Sequence, residues 1–107
     1  MKEFLKRPIA HRGLHKKNYI IENSLEAFEN AIKNNFAIEC DVVLSKDHEV
    51  IVFHDYSLKR LCYLEKNVAE MHSNELRQIN LLDKKSKIPT LEEMFYQVDS
   101  RVPILIE

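Results

Sequence analysis

Glycine is almost missing from this sequence. The chain of 107 residues contains one, Gly13, where a domain of that size usually carries about seven. Either Asn and Asp occupy the turns in its place, or part of the usual loop inventory is absent. Charge of one sign is also in short supply. The formal net charge is −1, and no long run of like charges occurs, so nucleic acid is a poor partner; a polyphosphate backbone calls for a basic face. No apolar stretch is long enough to span a bilayer. Met1 to Pro8 lacks the apolar segment of a secretory signal. Cys40 and Cys62 have neither CxxC nor zinc-ligand spacing, and without an export signal the expectation is reduced thiols in a cytoplasm. Repeats, low-complexity tracts and domain boundaries are absent as well.

What remains is 45% hydrophobic and 31% charged, ordinary for a globular domain with a modest core. Arg7 to His11 reads as a short strand with Pro8 at its start, which puts His11-Arg12-Gly13 at the strand's carboxyl end. Leu14 to Ile21 is a polar loop. Asn23 reads as an N-cap with Glu26 completing a capping box, and Leu25, Phe28, Ala31 and Ile32 follow at helical spacing toward Asn34-Asn35. Phe36 to Leu44 is a second strand; its period of two puts Glu39 and Asp41 on one face and Cys40 and Val42 on the other. Ser45 to Glu49 turns into a strand at Val50 to Phe53. A connection this short joins antiparallel strands, so the two runs pair as a hairpin. Tyr56 to His72 reads as a long loop with a turn or two of helix, Asn74 to Ile79 as a short helix, and Lys84 to Lys87 as a solvated basic turn. Thr90 and Glu93 form a capping box ahead of the stripe Leu91, Met94, Phe95 and Val98. Ile104 to Ile106 is a last strand, ending at Glu107. The order is that of the opening of a parallel α/β fold.

Taken singly, the polar residues of interest have plain explanations. A histidine at a strand end is more often structural than catalytic, His54-Asp55 closes a strand, and Glu107 is a charged end. Glu39 and Asp41 stand out more, because acids in an otherwise apolar strand are costly unless paired or bound to a metal. Together these groups recur at strand ends, where an α/β barrel keeps its chemistry. They supply two proton carriers, a guanidinium for phosphate and hard oxygen ligands for a metal. That set suits metal-assisted cleavage of a phosphodiester.

The ordered pattern His-Arg-Gly, Glu-Asn-Ser-Leu-Glu-Ala-Phe, Ile-Glu-x-Asp-Val, Ser-Lys-Asp, Val-x-Phe-His-Asp, Leu-x-Arg and Ile-Pro-Thr-Leu-Glu-Glu resembles the glycerophosphodiester phosphodiesterase family. The resemblance runs from about Pro8 to Glu107. It implies an α/β fold, a partial TIM (β/α)8 barrel with the first three parallel strands, a β-hairpin and covering helices. A whole barrel takes about 250 residues, so residues 1–107 are expected to be the N-terminal portion of that domain, truncated after the third barrel strand. The implied reaction is metal-dependent hydrolysis of a glycerophosphodiester, a small molecule, to an alcohol and glycerol 3-phosphate, with the head group left open. By the same resemblance His11 and His54 are the acid–base pair and Arg12 contacts phosphate. Glu39, Asp41 and Glu107 hold one divalent metal, calcium or magnesium, and Glu22 and Asn23 line the entrance. Imidazole, with an ordinary pKa of about 6.5, suits proton transfer at neutral pH, and three carboxylates suit a hard cation.

The sequence departs from the family at Phe36-Ala37, where a small residue or glycine is usual before the strand, and at Ile21, where a proline is common. Leu61 to Met71 has no glycine, and the lysine of the family's Glu-x-Lys would follow Glu107. Two other readings stay open. One is a non-catalytic fragment that binds metal and self-associates through exposed sheet edges. The other is a different phosphodiesterase, such as a phosphoinositide-cleaving lipase, against which the Glu-x-Asp and His-Asp spacing argues. Cys40 is expected to pack against a helix, Met94 and Phe95 to be core, and His15, His48 and His72 to be solvated. Cys62 has no base beside it in sequence; Tyr56 and Arg60 either shape the mouth or pack.

Overall fold

The computed structural model describes residues 7–17 and 19–107. Met1 to Lys6, part of the stretch searched for an export signal, and Asn18 of the polar loop lie outside them. In chain order the elements are β1 (Ile9–His11), α1 (Leu25–Lys33), β2 (Ala37–Cys40), β3 (Val42–Leu44), β4 (Val50–Val52), α2 (Lys59–Cys62), a 3-10 turn (Val68–Glu70), α3 (Ser73–Leu76), α4 (Leu91–Val98) and β5 (Ile104–Ile106). β1, β2 and β5 form a three-stranded parallel sheet with β2 in the centre, and β3 and β4 form the expected antiparallel hairpin. Among the described residues the sheet does not close into a barrel, and no helix is long and apolar enough to cross a membrane.

The long second strand expected from Phe36 to Leu44 is two strands. The break falls at Asp41: the Phe53 amide donates to the Asp41 carbonyl, and the Val42 amide donates to the Glu107 carbonyl. The chain thereby leaves the parallel sheet and enters the hairpin at the residue whose side chain belongs to the site. The first helix is also capped differently from expectation. Ser24 is its N-cap, accepting from the Ala27 amide at 3.1 Å, while Asn23 takes a left-handed conformation with φ 54° just before it. The second box is as expected, with Thr90 and Glu93 satisfying each other's amides.

Two cores hold the elements. Between helices and sheet, Phe28, Ala31, Ile38, Cys40, Met94 and Val98 pack together, so Cys40 lies against helices as expected. Burial, with the charges of Glu39 and Asp41 behind it, pushes its thiol up to about 12. Beneath the hairpin, Ile51, Phe53, Leu58, Leu61, Val68 and Leu76 form a second cluster. The loop from Tyr56 to His72 is thus tied down by its own apolar side chains. Phe95 departs from the expected stripe and is 47% exposed. On so short a helix the i, i+4 pair Met94 and Val98 takes the interior, and Phe95 lies about 100° around from Met94. His72 is not simply solvated either. Its ring accepts from the Asn74 amide, and Nε2 lies 3.3 Å from Asp47, which also holds Ser45 and Ser73.

Scarcity of glycine is met by other residues adopting positive φ. Eight described non-glycine residues do so, among them Asn23, Asn35 and Asp99. Gly13 is different in kind. At φ +80° a Cβ would sit 2.8 Å from Ala27 Cβ and 2.9 Å from Phe28 Cδ1, so neither dihedral nor space admits a side chain. Gly13→Ala is expected to lower unfolding free energy by about 2–4 kcal/mol, from left-handed strain plus overpacking; urea unfolding of the two proteins measures it.

Candidate active site

The site grows from the carboxyl ends of the parallel strands. In the register His11 faces Glu39, and Glu39 faces Leu105, so His11, Glu39 and Leu105 share one face of the sheet. Glu107 follows β5, and its amide donates to the Cys40 carbonyl at 3.0 Å. Backbone pairing alone therefore delivers Glu39, Asp41 and Glu107 to one spot. One carboxylate oxygen from each lies within 4.8 Å of the others.

Glu39 is buried, and burial pushes its carboxyl above the ordinary value. The amide of Arg12 pulls the other way, donating to Oε1 at 2.9 Å, but the Asp41 charge adds to the upward push. Arg12 reaches that position through a positive φ of 59°. Oε2 of Glu39 is buried with no hydrogen-bond partner, as is Nε of Arg12. A buried, unsatisfied carboxylate oxygen between two further acids is costly, and a divalent cation is the group that removes the cost. The donor set therefore fits a hard cation held by Glu39, Asp41 and Glu107.

Arg12 and Asn23 surround this cluster. The guanidinium Nε of Arg12 lies 3.4 Å from Asp41, and Nη1 donates to Glu22 at 2.9 Å. Asn23, expected at the entrance, is only 2% exposed. Its amide nitrogen donates to Asp41 at 3.1 Å, its carbonyl oxygen accepts from the Asp41 amide at 3.4 Å, and its own amide donates to the Arg12 carbonyl at 2.8 Å. The left-handed turn at Asn23 is what aims that side chain inward.

His54 follows the hairpin and lines a cleft of about 620 Å³ with Asp41, Asp55, Tyr56 and Glu107. Its Nδ1 is 2.7 Å from Asp55. His11 sits across the sheet end, its Nε2 3.9 Å from Glu39. One residue outside the expected set ties the parts together. Arg60 makes a two-pronged bond to Glu22, at 2.9 and 2.8 Å, and donates to Asp55 at 2.9 Å. A continuous line of charged contacts then runs from Asp41 through Arg12, Glu22, Arg60 and Asp55 to His54. In sequence Arg60 shows only as the end of Leu-x-Arg, since its partner Glu22 lies on a different loop.

Burial pushes Glu22 upward, but hydrogen bonds and charge from Arg60, then Arg12, overcome it and leave the carboxyl below its ordinary value. Asp55 is lowered chiefly by its hydrogen bond to Arg60. Both groups thus add stability above their ordinary values of 4.5 and 3.8, and that stability is lost as pH falls through the lower folded values. Arg60→Ala should raise both carboxyls. Its melting temperature should then be lower than the parent's near neutral pH but drop less steeply as pH falls from about 5 to about 3, as read from thermal melts across that range.

A parallel sheet wrapped by helices, with an acid cluster at its carboxyl ends that could hold a metal ion, is the arrangement of a segment of a TIM barrel. Residues 11–107 match the Glycerophosphoryl diester phosphodiesterase family. The human Lysophospholipase D GDPD1 is 32% identical over 105 residues, covering 86% of this chain and 33% of that protein. The crystal structure of a glycerophosphodiester phosphodiesterase from Thermotoga maritima superposes with a TM-score of 0.80 at 37% identity, over 94% of this chain and 42% of that one. An Oleispira antarctica phosphodiesterase, solved in complex with the product sn-glycerol-3-phosphate, gives a TM-score of 0.83 at 26% identity, over 94% and 43%. The chain spans less than half the length of these proteins. It belongs to the glycerophosphoryl diester phosphodiesterase family.

Proposed function

We propose that residues 1–107 are the N-terminal portion of a TIM-barrel phosphodiesterase that hydrolyses glycerophosphodiesters to an alcohol and glycerol 3-phosphate. The observation that carries the reading is the convergence of Glu39, Asp41 and Glu107 around a buried, unsatisfied carboxylate oxygen, next to His11, Arg12 and His54. The product held by the Oleispira antarctica neighbour is the one this reaction would release.

Glu39, Asp41 and Glu107 would hold one calcium or magnesium ion. When bound, such an ion polarises a phosphoryl oxygen and offsets the charge that grows there. Arg12, with an Nε free of any aligned partner, adds a guanidinium for the phosphate. Asn23 keeps Asp41 turned toward the cluster. Glu22, with both oxygens occupied by Arg60 and one also by Arg12, orients these cations at the entrance. With Asp55 ionised, Nδ1 of His54 donates to it, and Nε2 is left to take or give a proton. One of His11 and His54 removes a proton from the attacking hydroxyl or water as its oxygen bonds to phosphorus. The other gives a proton to the alcohol oxygen as its bond to phosphorus breaks.

Two unpaired cysteines, one deeply buried, support a reducing, cytoplasmic setting. The free edges of the sheet favour a secondary property. Among the described residues β1 and β5 are the outer strands of the sheet, so these edge strands are where the rest of a barrel, or a second copy, would pair.

Calcium or magnesium at a hundredfold excess over Kd should stabilise the protein by about 2.7 kcal/mol, read as a rise in melting temperature. Asp41→Ala should remove that rise; a parent protein that neither ion stabilises would refute the cation site. His54→Ala should keep the metal-dependent rise and lose about 10²- to 10⁴-fold in turnover of glycerophosphocholine. Full turnover in that variant would refute the acid–base assignment.

A further inference from the structure

A second cavity, of about 360 Å³, lies beside the cleft and has Glu22 and Arg60 in its wall. Its floor is apolar, made by Ile20, Leu61 and Leu82, and Lys16 and Lys17 stand at its rim. Leu82 leads into the turn that carries Lys84 and Lys85, both exposed. Among the described residues, the ion pairs use none of these four lysines. Tyr19, between Lys17 and Ile20, is 77% exposed, and Tyr63, two residues beyond Leu61, is 80% exposed. A single exposed aromatic ring is ordinary. Two of them flank, in sequence, the residues that line a partly apolar cavity with Lys16 and Lys17 in its wall, a combination that marks a surface of a different kind.

We propose that this face docks on the headgroup region of an anionic lipid bilayer. Lysines near such a surface are drawn to its phosphates. Tyrosine, apolar in its ring and polar at its tip, settles at the boundary between headgroups and chains. The apolar floor has no role for a free phosphate ion, whereas an amphiphile uses both the floor and the lysines. Because Glu22 and Arg60 belong to both the cavity wall and the charged line of the site, a bilayer docked here lies next to the cleft. The inference rests on the phosphodiesterase reading for its purpose, since it brings the cleft to where lipid phosphodiesters lie, yet the binding itself requires no turnover.

The test is co-sedimentation of the intact protein, as isolated from its cell, with vesicles of phosphatidylcholine alone or with about one third phosphatidylglycerol. Partition onto the anionic vesicles should be at least about tenfold stronger and should collapse in high salt. Lys16→Glu with Lys17→Glu, Lys84→Glu with Lys85→Glu on a separate loop, and Tyr19→Ser with Tyr63→Ser should each reduce it by about tenfold. All three should turn over soluble glycerophosphocholine at the parent's rate. Equal partition onto both vesicles, no binding, or unchanged binding in all three variants overturns the proposal. Displacement by inorganic phosphate at matched ionic strength would also overturn it, by revealing a free-anion site. A parent protein that turns over substrate without docking refutes docking alone, and a parent that docks without turnover refutes the phosphodiesterase reading alone.

Discussion

Glu39 is a carboxylate in the central strand of a parallel sheet, and the surrounding structure is organised by the cost of burying it. Both faces of such a strand are covered, so a charge there has no water to fall back on. One oxygen is met by the Arg12 amide, turned toward it by a left-handed residue at the end of β1. The other oxygen has no hydrogen-bond partner, and Asp41 and Glu107 bring two further carboxylates to the same spot. Arg12 lies against Asp41 and His11 near Glu39, and a cation held among the three carboxylates would complete the balance.

That requirement explains why the neighbouring contacts are so densely shared. Asp41 must stay close to Glu39 in spite of like-charge repulsion, and Asn23 holds it by both its side chain and its amide. Asn23 is in turn fixed by the Arg12 carbonyl, so the residue that binds Glu39 by its amide also anchors the residue that orients Asp41. Glu22 sits between two arginines, one reaching in toward Asp41 and the other out toward Asp55. The loop after β1, the start of α1 and the segment after the hairpin are thereby joined electrostatically, beside the apolar cluster that Ile21 shares with Leu58 and Leu61. Because Glu22 and Asp55 are both held ionised, the line alternates in sign from Asp41 to Asp55, which is what lets so many charges lie together.

Much of this was legible in the sequence, and the limits have physical causes. The strand ends carrying His11, Glu39, His54 and Glu107 follow from local pattern, since a short apolar run bounded by turns is readable from one sequence. The hairpin followed from a connection too short for a crossover. The roles of Asn23 and Arg60 did not follow. Asn23 is a good helix cap by composition, but Ser24 beside it caps equally well, and only the tertiary pull of Asp41 decides between them. Arg60 bonds to Glu22 across 38 positions of sequence, a separation to which no periodicity speaks. Phe95 and Met94 are adjacent apolar residues on one helix, and which one faces in depends on where the sheet lies. The break at Asp41 is invisible to alternation because β2 and β3 are both apolar runs of the same period.

The scarcity of glycine ends as an argument about the site. Most residues with positive φ in this fold keep a side chain and tolerate the strain, which for an L residue is of order 1–2 kcal/mol. At surface turns such as Asn35 and Asp99 that strain is a plain conformational cost. At Arg12 and Asn23 the same conformation is useful. It directs an amide at Glu39 and a carboxamide at Asp41, and a glycine at either place would relax the backbone while deleting the guanidinium or the carboxamide. Glycine survives only at position 13, between those two turns, where the backbone passes so close to α1 that any Cβ would strike Ala27 or Phe28. The close approach brings the end of β1 against the start of α1. It is what places Arg12 and Asn23 within reach of each other and of the carboxylates they hold.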